Sequence, residues 1–347
     1  MLTLIYFVLI LGVIVLVHEF GHFIFSKLFG VYVHEFSIGM GPAIFQRQGK
    51  NKETTYSLRA IPIGGYCALA GEDDEMDKDV PKDRCLQNKP IWQRFIIMVA
   101  GAMNNFILAV IILLLIATFA GAPNLDPIIG SVETGGPAEQ AGLEAGDRVT
   151  RINNDKVSTT DDLAIFLQLA DMSKPVTFYV TKEDGTETTY EVTPIAEEVD
   201  GTTTYRIGVT IDNEVRHDVL SVLSYTARKT GSLFKQMIIS FQALFTGRVG
   251  FDQLSGPVGI YQIVGAQSET GLANMLYLVA LLSVNVGFLN LLPIPAMDGG
   301  RIFLLLIELI KRKPVKPETE NLVNTVGFIL LLALMLLVTI NDVVKLF

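Results

Sequence analysis

The sequence predicts a polytopic α-helical membrane protein of about four transmembrane helices, with one small α+β domain outside the membrane. Three observations predict it. Half of the residues are hydrophobic and only 18% are charged, with a mean hydropathy of +0.43, which is too apolar for an ordinary soluble chain. Four apolar runs reach the length needed to cross a hydrocarbon core of about 30 Å. Between the second and third runs lies a long acidic segment with alternating strand patterns and turn residues.

The first run, residues 2–28, has no basic residues ahead of it and no small-residue cleavage site after it, so it reads as a membrane helix and not a signal peptide. The second covers residues 92–120. The third covers 272–292 and ends in Pro293 and Pro295. Residues 302–310 are apolar but too short to span, and continue the third helix beyond a break. The fourth run covers 322–340. Lys27 at the end of the first run, Arg47, Lys50, Lys52, Arg59 and Lys89 in the loop after it, and Arg94 at the start of the second run are basic, and Lys311, Arg312, Lys313 and Lys316 precede the fourth. This bias puts both loops on the cytoplasmic side. The acidic stretch 122–213 and both termini then face outward.

Within the outer segment, Val176–Thr181 reads as a strand, Asp184-Gly185 as a turn, and 188–192 as the returning strand. Residues 160–170 have helical periodicity with Thr160 as the cap. Residues 219–245 carry Arg228, Lys229 and Lys235 at helical spacing among apolar residues. That pattern reads as an amphipathic helix on the membrane surface, because basic residues in mid-segment argue against a fifth span. The expected organisation is therefore 1–121, 122–215, 216–271 and 272–347.

Lys plus Arg number 27 against 36 Asp plus Glu, a net charge of −9. With no basic stripe, nucleic-acid binding is excluded. Cys67 and Cys85 form neither a metal-type pair nor a disulfide framework, and read as free thiols on the reducing side. The histidines are His18, His22, His34 and His217, so any histidine metal site draws on these.

The first helix contains His18-Glu19-Phe20-Gly21-His22. Two histidines four apart share one helix face, about 6 Å apart along the axis. Both rings can ligate one zinc ion, with Glu19 beside them to deprotonate a bound water. Ionisable groups on so apolar a helix are costly unless paired; the alternative is that they are merely solvated at the interface. Catalytic zinc uses three protein ligands and an open position. Asp298 is the best third candidate. It follows two helix-breaking prolines in Asn290-Leu291-Leu292-Pro293-Ile294-Pro295-Ala296-Met297-Asp298-Gly299-Gly300, and irregular backbone at membrane depth is tolerated where it lines a polar cavity. Its alternative reading is ordinary turn chemistry before a Gly pair. Asn104, Asn105 and Glu308 are the remaining candidates. His34 has Ile38 where a second histidine would be needed and reads as non-ligating; His217 reads as surface.

An HExxH in the first membrane helix, a PDZ-like outer segment and Asn-x-x-Pro-x-x-x-Asp-Gly in a later helix resemble the site-two protease family (peptidase M50). The closest branch is the regulator-of-sigma-E intramembrane zinc metalloproteases of bacteria. The resemblance covers nearly the whole chain. It implies Zn2+ bound by His18, His22 and Asp298, and Glu19 as catalytic base. It further implies a cytoplasmic-side re-entrant β-hairpin over 31–69, where 31–33 and 54–58 read as strands and 39–42 and 62–65 as bends. Substrate contacts fall on Asn285, Asn290, Pro293 and Pro295, although Asn285 also reads as a helix–helix hydrogen-bonding residue. The chain has Met297 where the family has Leu. It has Ala102 where the family's Gly-Pro-x-x-Asn-Phe has proline, within Gly101-Ala102-Met103-Asn104-Asn105-Phe106.

Residues 136–147 and 149–153 resemble a bacterial PDZ domain. Tyr205-Arg206-Ile207-Gly208-Val209 resembles its peptide-facing strand, placed last as in circularly permuted forms. This domain either captures chain ends at Gly208 or filters substrates by size. The implied partners are the lipid bilayer and transmembrane protein substrates, such as trimmed anti-sigma factors or remnant signal peptides, in a bacterial cell membrane. A non-catalytic PDZ scaffold should lack a ligand or the base, and a transporter should show an inverted repeat. Neither fits this sequence.

Overall fold

The structure is a computed structural model that describes residues 2–71, 77, 79–199, 202–250, 253–313, 315 and 317–345. Lys316, counted above in the second basic loop, lies outside the described residues. In chain order the elements are α1 (Leu2–Leu28), β1 (Val33–Gln48), β2 (Thr55–Leu69), α2 (Ile91–Ala120), β3 (Ala122–Pro123), β4 (Ile129–Val132) and α3 (Pro137–Ala141). There follow β5 (Arg148–Ile152), β6 (Asp155–Lys156), α4 (Thr160–Leu169), β7 (Val176–Thr181), β8 (Glu187–Val192), β9 (Ile195–Val199) and β10 (Thr202–Arg206). The last are β11 (Val209–Ile211), β12 (Val215–Arg216), α5 (Val219–Phe245), α6 (Pro257–Glu269), α7 (Leu272–Leu291), α8 (Asp298–Lys311) and α9 (Pro317–Val344).

Among the described residues, four helices are long and apolar enough to cross a membrane: Leu2–Leu28, Ile91–Ala120, Leu272–Leu291 and Glu318–Val344. These are the four predicted runs, and the chain is a multi-pass membrane protein. It divides into two compact units, Met1–Ile112 with Phe251–Phe347, and Leu113–Gly250. The expected boundaries at 121 and 215 therefore shift. The region 216–271 is split between the units, because α5 packs on the second and α6 on the first.

In the first unit, Ile10 and Ile14 of α1 pack with Val264 of α6 and Leu278 of α7. Lower on α1, Phe23 and Phe25 join Val31, Val33, Leu69, Ile97, Met98 and Leu305. Leu4, Leu9, Val13 and Phe20 stay uncovered, as do Phe328, Ile329 and Leu330 of α9, so lipid is the natural solvent for these faces. The N-terminus of α6 is closed by α9: the Gly256 and Gly259 N–H groups donate to the buried Asp342 carboxylate at 2.9 and 2.8 Å. Helix α7 stops where the residue before Pro293 turns extended, with Leu292 at φ −66° and ψ 145°, as a pre-proline residue must. Helix α8 then restarts at Asp298. A Cβ on Gly299 would meet the Leu292 carbonyl oxygen at 2.0 Å, so only glycine lets the chain fold back this tightly.

The strands expected over 31–33 and 54–58 are much longer, and the expected bends at 39–42 and 62–65 lie inside them. Gly39, Gly41 and Gly64 take φ near +80° and kink the strands without ending them. Residues 35–38 pair on one side with 65–68 and on the other with 55–58, which in turn pair with 45–48. The hairpin is thus folded into a four-ribbon sheet with 65–68 on an edge. Ile38, Met40, Ile44, Phe45, Leu58, Ile61 and Ile63 are exposed on it.

The second unit has a four-stranded sheet in the order β6-β5-β7-β8 and the pairs β11-β4, β10-β9 and β12-β3. Phe178, Ile152, Val149, Val176 and Ile129 are among its fully buried core residues, in one cluster with Leu163 and Phe166 of α4. Thr159, not Thr160, caps α4: it accepts from the Asp162 N–H, and the Asp162 carboxylate accepts from the Thr159 N–H. Two adjacent threonines made the sequence ambiguous, and the reciprocal carboxylate decides it. The predicted 219–245 helix forms over those residues. At its start, the Ser221 side chain and N–H hold the Asp218 carboxyl below its ordinary range. The basic residues of α5 are paired with acids of the same unit. Lys229 donates to Asp161 at 2.6 Å, Lys235 to Asp162 at 2.7 Å and Arg228 to Asp126 at 2.8 Å. The apolar Val219, Leu220 and Leu223 are exposed instead.

Lys229 and Asp161 are both nearly buried, so removing one partner strands a charge and costs about 3 kcal/mol or more. Lys229→Met is expected to lower hydrogen-exchange protection across α4 and α5. The double variant Lys229→Met, Asp161→Leu should lose less, and a double variant worse than the single would contradict this account.

Candidate metal centre

The centre starts from α1. His18 and His22 share a face, and their Nε2 atoms lie 3.3 Å apart. They reach this geometry because α2 crosses α1 at almost no distance. A Cβ on Gly21 would meet the Ala100 carbonyl oxygen at 2.3 Å, and one on Gly101 would meet His22 Nε2 at 2.4 Å and His18 Nε2 at 2.8 Å. Two glycines therefore make the space in which both rings stand. Helix α2 runs unbroken through Ala102, so the missing proline leaves this crossing straight.

Helix α2 also grips the motif by hydrogen bonds. The His22 Nδ1 lies 2.8 Å from the Ile97 carbonyl oxygen; only a protonated Nδ1 can bond there, which leaves the Nε2 lone pair free. Asn104 donates to the Val17 carbonyl at 3.2 Å. The Asn105 amide lies 3.4 Å from His18 Nδ1.

The α7–α8 break delivers the third group. Asp298 Oδ2 sits 3.1 Å from His18 Nε2 and 3.2 Å from His22 Nε2, yet it is buried and accepts no hydrogen bond. With both rings neutral, three electron-rich atoms thus face one another, an arrangement that a cation between them would satisfy. Among the described residues, His18, His22 and Asp298 are the group that can hold a metal ion. Tetrahedral zinc with ligands at 2.0–2.1 Å needs ligand atoms about 3.3 Å apart, so the observed spacings and the N, N, O donor set fit zinc.

The centre opens into a cavity of about 360 Å3 lined in part by Glu19, Tyr66, Cys67, Asn290, Arg301 and Asn324. Glu19 is half-buried, and its Oε2 accepts the Cys67 N–H at 3.1 Å. The edge segment 65–68 thus reaches the centre through its backbone.

Of the residues singled out from sequence, His18, Glu19, His22, Asn290 and Asp298 come together around this cavity. Asn285 does not line it, and its side-chain oxygen is buried without a partner. Pro293 and Pro295 lie in the break without lining the cavity, and Gly208 lies in the second unit. Glu308 is not a ligand candidate, since Arg94 of α2 holds it at 3.0 Å. His34 bonds Asp77 at 2.8 Å, and His217 is exposed. Sequence reasoning missed Tyr66, Arg301 and Asn324. Asn324 stands at the polar start of α9, where an amide carries no signal. Its Oδ1 accepts the Ala296 N–H at 3.3 Å, steadying the loop before Asp298.

The family model described as Peptidase family M50 matches residues 6–334. The chain is also similar from end to end to curated relatives. It is 32% identical to zinc metalloprotease RasP of Bacillus licheniformis, with 99% of each chain covered. It is likewise 32% identical to regulator of sigma-W protease RasP of Bacillus subtilis, with 99% of each covered. It is 33% identical to the Enterococcus faecalis protein named probable protease eep, with 100% of each covered.

Because Gly101 leaves no room for a methyl group beside either ring, Gly101→Ala is expected to reduce bound zinc well below one ion per chain while α2 stays helical. Metal analysis of the purified variant checks this, and full zinc occupancy would show that the rings do not need the glycine.

Proposed function

The chain belongs to peptidase family M50 and is a zinc metalloprotease with Zn2+ as cofactor; from that premise we propose that it cleaves peptide bonds within transmembrane segments of other membrane proteins. The observation that carries this reading is the convergence of His18, His22 and Asp298 inside a unit whose helices are apolar and of bilayer length. We assign these three as the zinc ligands and Glu19 as the base.

Zinc, when bound, polarises the scissile carbonyl and lowers the pKa of a bound water to about 7. Glu19 takes the water proton and passes it to the leaving amine. The Cys67 N–H holds the Glu19 carboxylate beside the two histidines. A helical peptide bond is shielded by its own hydrogen bonding, so the substrate must unwind and find new partners. The edge segment 65–68, which runs beside Glu19, offers its backbone to an extended substrate strand. Asn290 and Asn324 supply amides at the cavity wall, and Asn285 carries a free buried oxygen. Pro293 and Pro295 hold open the irregular backbone that ends in Asp298.

The exposed apolar residues of the hairpin support a re-entrant position from the cytoplasmic side, the side of the basic loops. The second unit is read as a PDZ-like domain outside the membrane, since β11 from its end pairs with β4 from its beginning. At Gly208, the Glu133 carboxylate lies close to the loop and bonds Arg206. An acidic neighbour disfavours capture of a chain-end carboxylate, which favours a size filter over tail binding. The Bacillus subtilis relative is named for regulating sigma-W, which supports membrane-bound regulators of sigma factors as the substrate class, with remnant signal peptides as a second class.

Glu19→Gln is expected to keep one zinc per chain but lose cleavage of a model transmembrane substrate by at least about a hundredfold, the range ascribed to general acid–base catalysis. Asp298→Ala should lose both zinc and activity. Near-native cleavage by Glu19→Gln would remove Glu19 as the base, and undiminished zinc in Asp298→Ala would remove Asp298 as a ligand.

A further inference from the structure

We propose that Asn105 is a positioning residue for the metal ligand His18: its side-chain oxygen accepts the His18 Nδ1–H and so turns the Nε2 lone pair toward zinc. This rests on the reading of His18 as a zinc ligand.

A histidine that ligates through one ring nitrogen carries its proton on the other, and that proton needs an acceptor. For His22 the acceptor is the Ile97 carbonyl. For His18 the ligating atom is Nε2, since that atom faces His22 Nε2 and Asp298 Oδ2, so Nδ1 bears the proton. The group within reach of this nitrogen is the Asn105 amide. Nδ2 of Asn105 faces it at 3.4 Å, while Oδ1 is buried with no hydrogen-bond partner. Two N–H donors cannot bond each other. The two ends of an amide differ little in shape and are told apart by their hydrogen bonds. Turned end for end, the same side chain gives His18 its acceptor and the orphaned oxygen a donor. The NH2 group then takes the place the oxygen had.

The placement of Asn105 is rigid. The residue is fully buried, and its backbone carbonyl accepts the Ser283 hydroxyl of α7 at 2.8 Å. Its neighbour Phe106 packs so closely on α7 that a Cβ on Gly287 would meet the ring at 2.6 Å. Helix α7 therefore holds the acceptor, and the acceptor holds the ring. Asn104 and Asn105 act on adjacent parts of α1. The first ties down the backbone at Val17, and the second orients the ring of the next residue.

The test is zinc affinity of the purified full chain, measured by competition with a chelator of known affinity, together with the visible spectrum of the cobalt-substituted protein. Asn105→Leu keeps the shape and removes the acceptor. It is expected to weaken zinc binding about 10- to 100-fold and to alter the cobalt bands. Asn105→Asp keeps an acceptor and is expected to stay within about threefold of the native affinity, as in carboxylate–histidine–zinc arrangements. A merely structural role gives the opposite order, because a buried carboxylate is harder to accommodate than an isosteric leucine. Native affinity in Asn105→Leu, or an equal loss in Asn105→Asp, overturns the proposal. Should Asn105→Leu fail to fold, Asn105→Asp decides alone: affinity within about threefold supports the proposal and a tenfold loss overturns it. Asp298→Ala is the control. Retained zinc there would remove the ligand assignment itself, whereas loss there with native affinity in Asn105→Leu removes the positioning role only.

Discussion

The first unit is organised around a repulsion. Two ring nitrogens and a carboxylate oxygen, with lone pairs facing inward, are held about 3 Å apart. Each is fixed from behind by a different element: His22 by the Ile97 carbonyl on α2, Asp298 by the α7–α8 break, and both histidines by the glycine crossing of α1 and α2. With both rings neutral such an arrangement is unfavourable until a cation lies between the three atoms, so a bound metal would stabilise the folded form of this unit. It also explains why the chain accepts a broken membrane helix. An unbroken α7 would carry Asp298 past the histidines.

Much of this was legible in the sequence. The four long helices showed because lipid demands uninterrupted apolar runs, and their ends moved by only a few residues except in α9, which extends beyond the apolar run at both ends. His18, Glu19 and His22 showed because helical spacing makes three polar residues in an apolar helix conspicuous. Asp298 showed because two prolines announced irregular backbone. The hairpin was far less legible. Its long strands are interrupted by glycines and prolines that normally end strands, and exposed apolar residues such as Ile38, Ile44, Phe45 and Ile61 blur the alternation that marks a strand. The backbone contact from Cys67 to Glu19 has no signature at all, since any residue but proline supplies an N–H. Asn324 and Tyr66 were hidden for a related reason: each becomes part of the site only through a neighbour distant in sequence.

The centre and the second unit differ in how they use charge. At the candidate metal centre, the side-chain atoms of His18, His22 and Asp298 are aimed at one point. In the second unit, acids and bases are many and bonded in pairs, and the core is an ordinary apolar sheet-and-helix interior. A change in the β-rich unit can then be made without altering the groups on α1, α2 and α8.

Helix α5 carries a consequence of its own. Its cationic side chains are committed to acids of the β-rich unit, while Val219, Leu220 and Leu223 remain open. Any contact of this open face with a bilayer would therefore draw mainly on hydrocarbon insertion, because the cations that would otherwise meet headgroups already hold acids. Such a contact would depend little on whether the lipids are anionic or zwitterionic, and little on added salt.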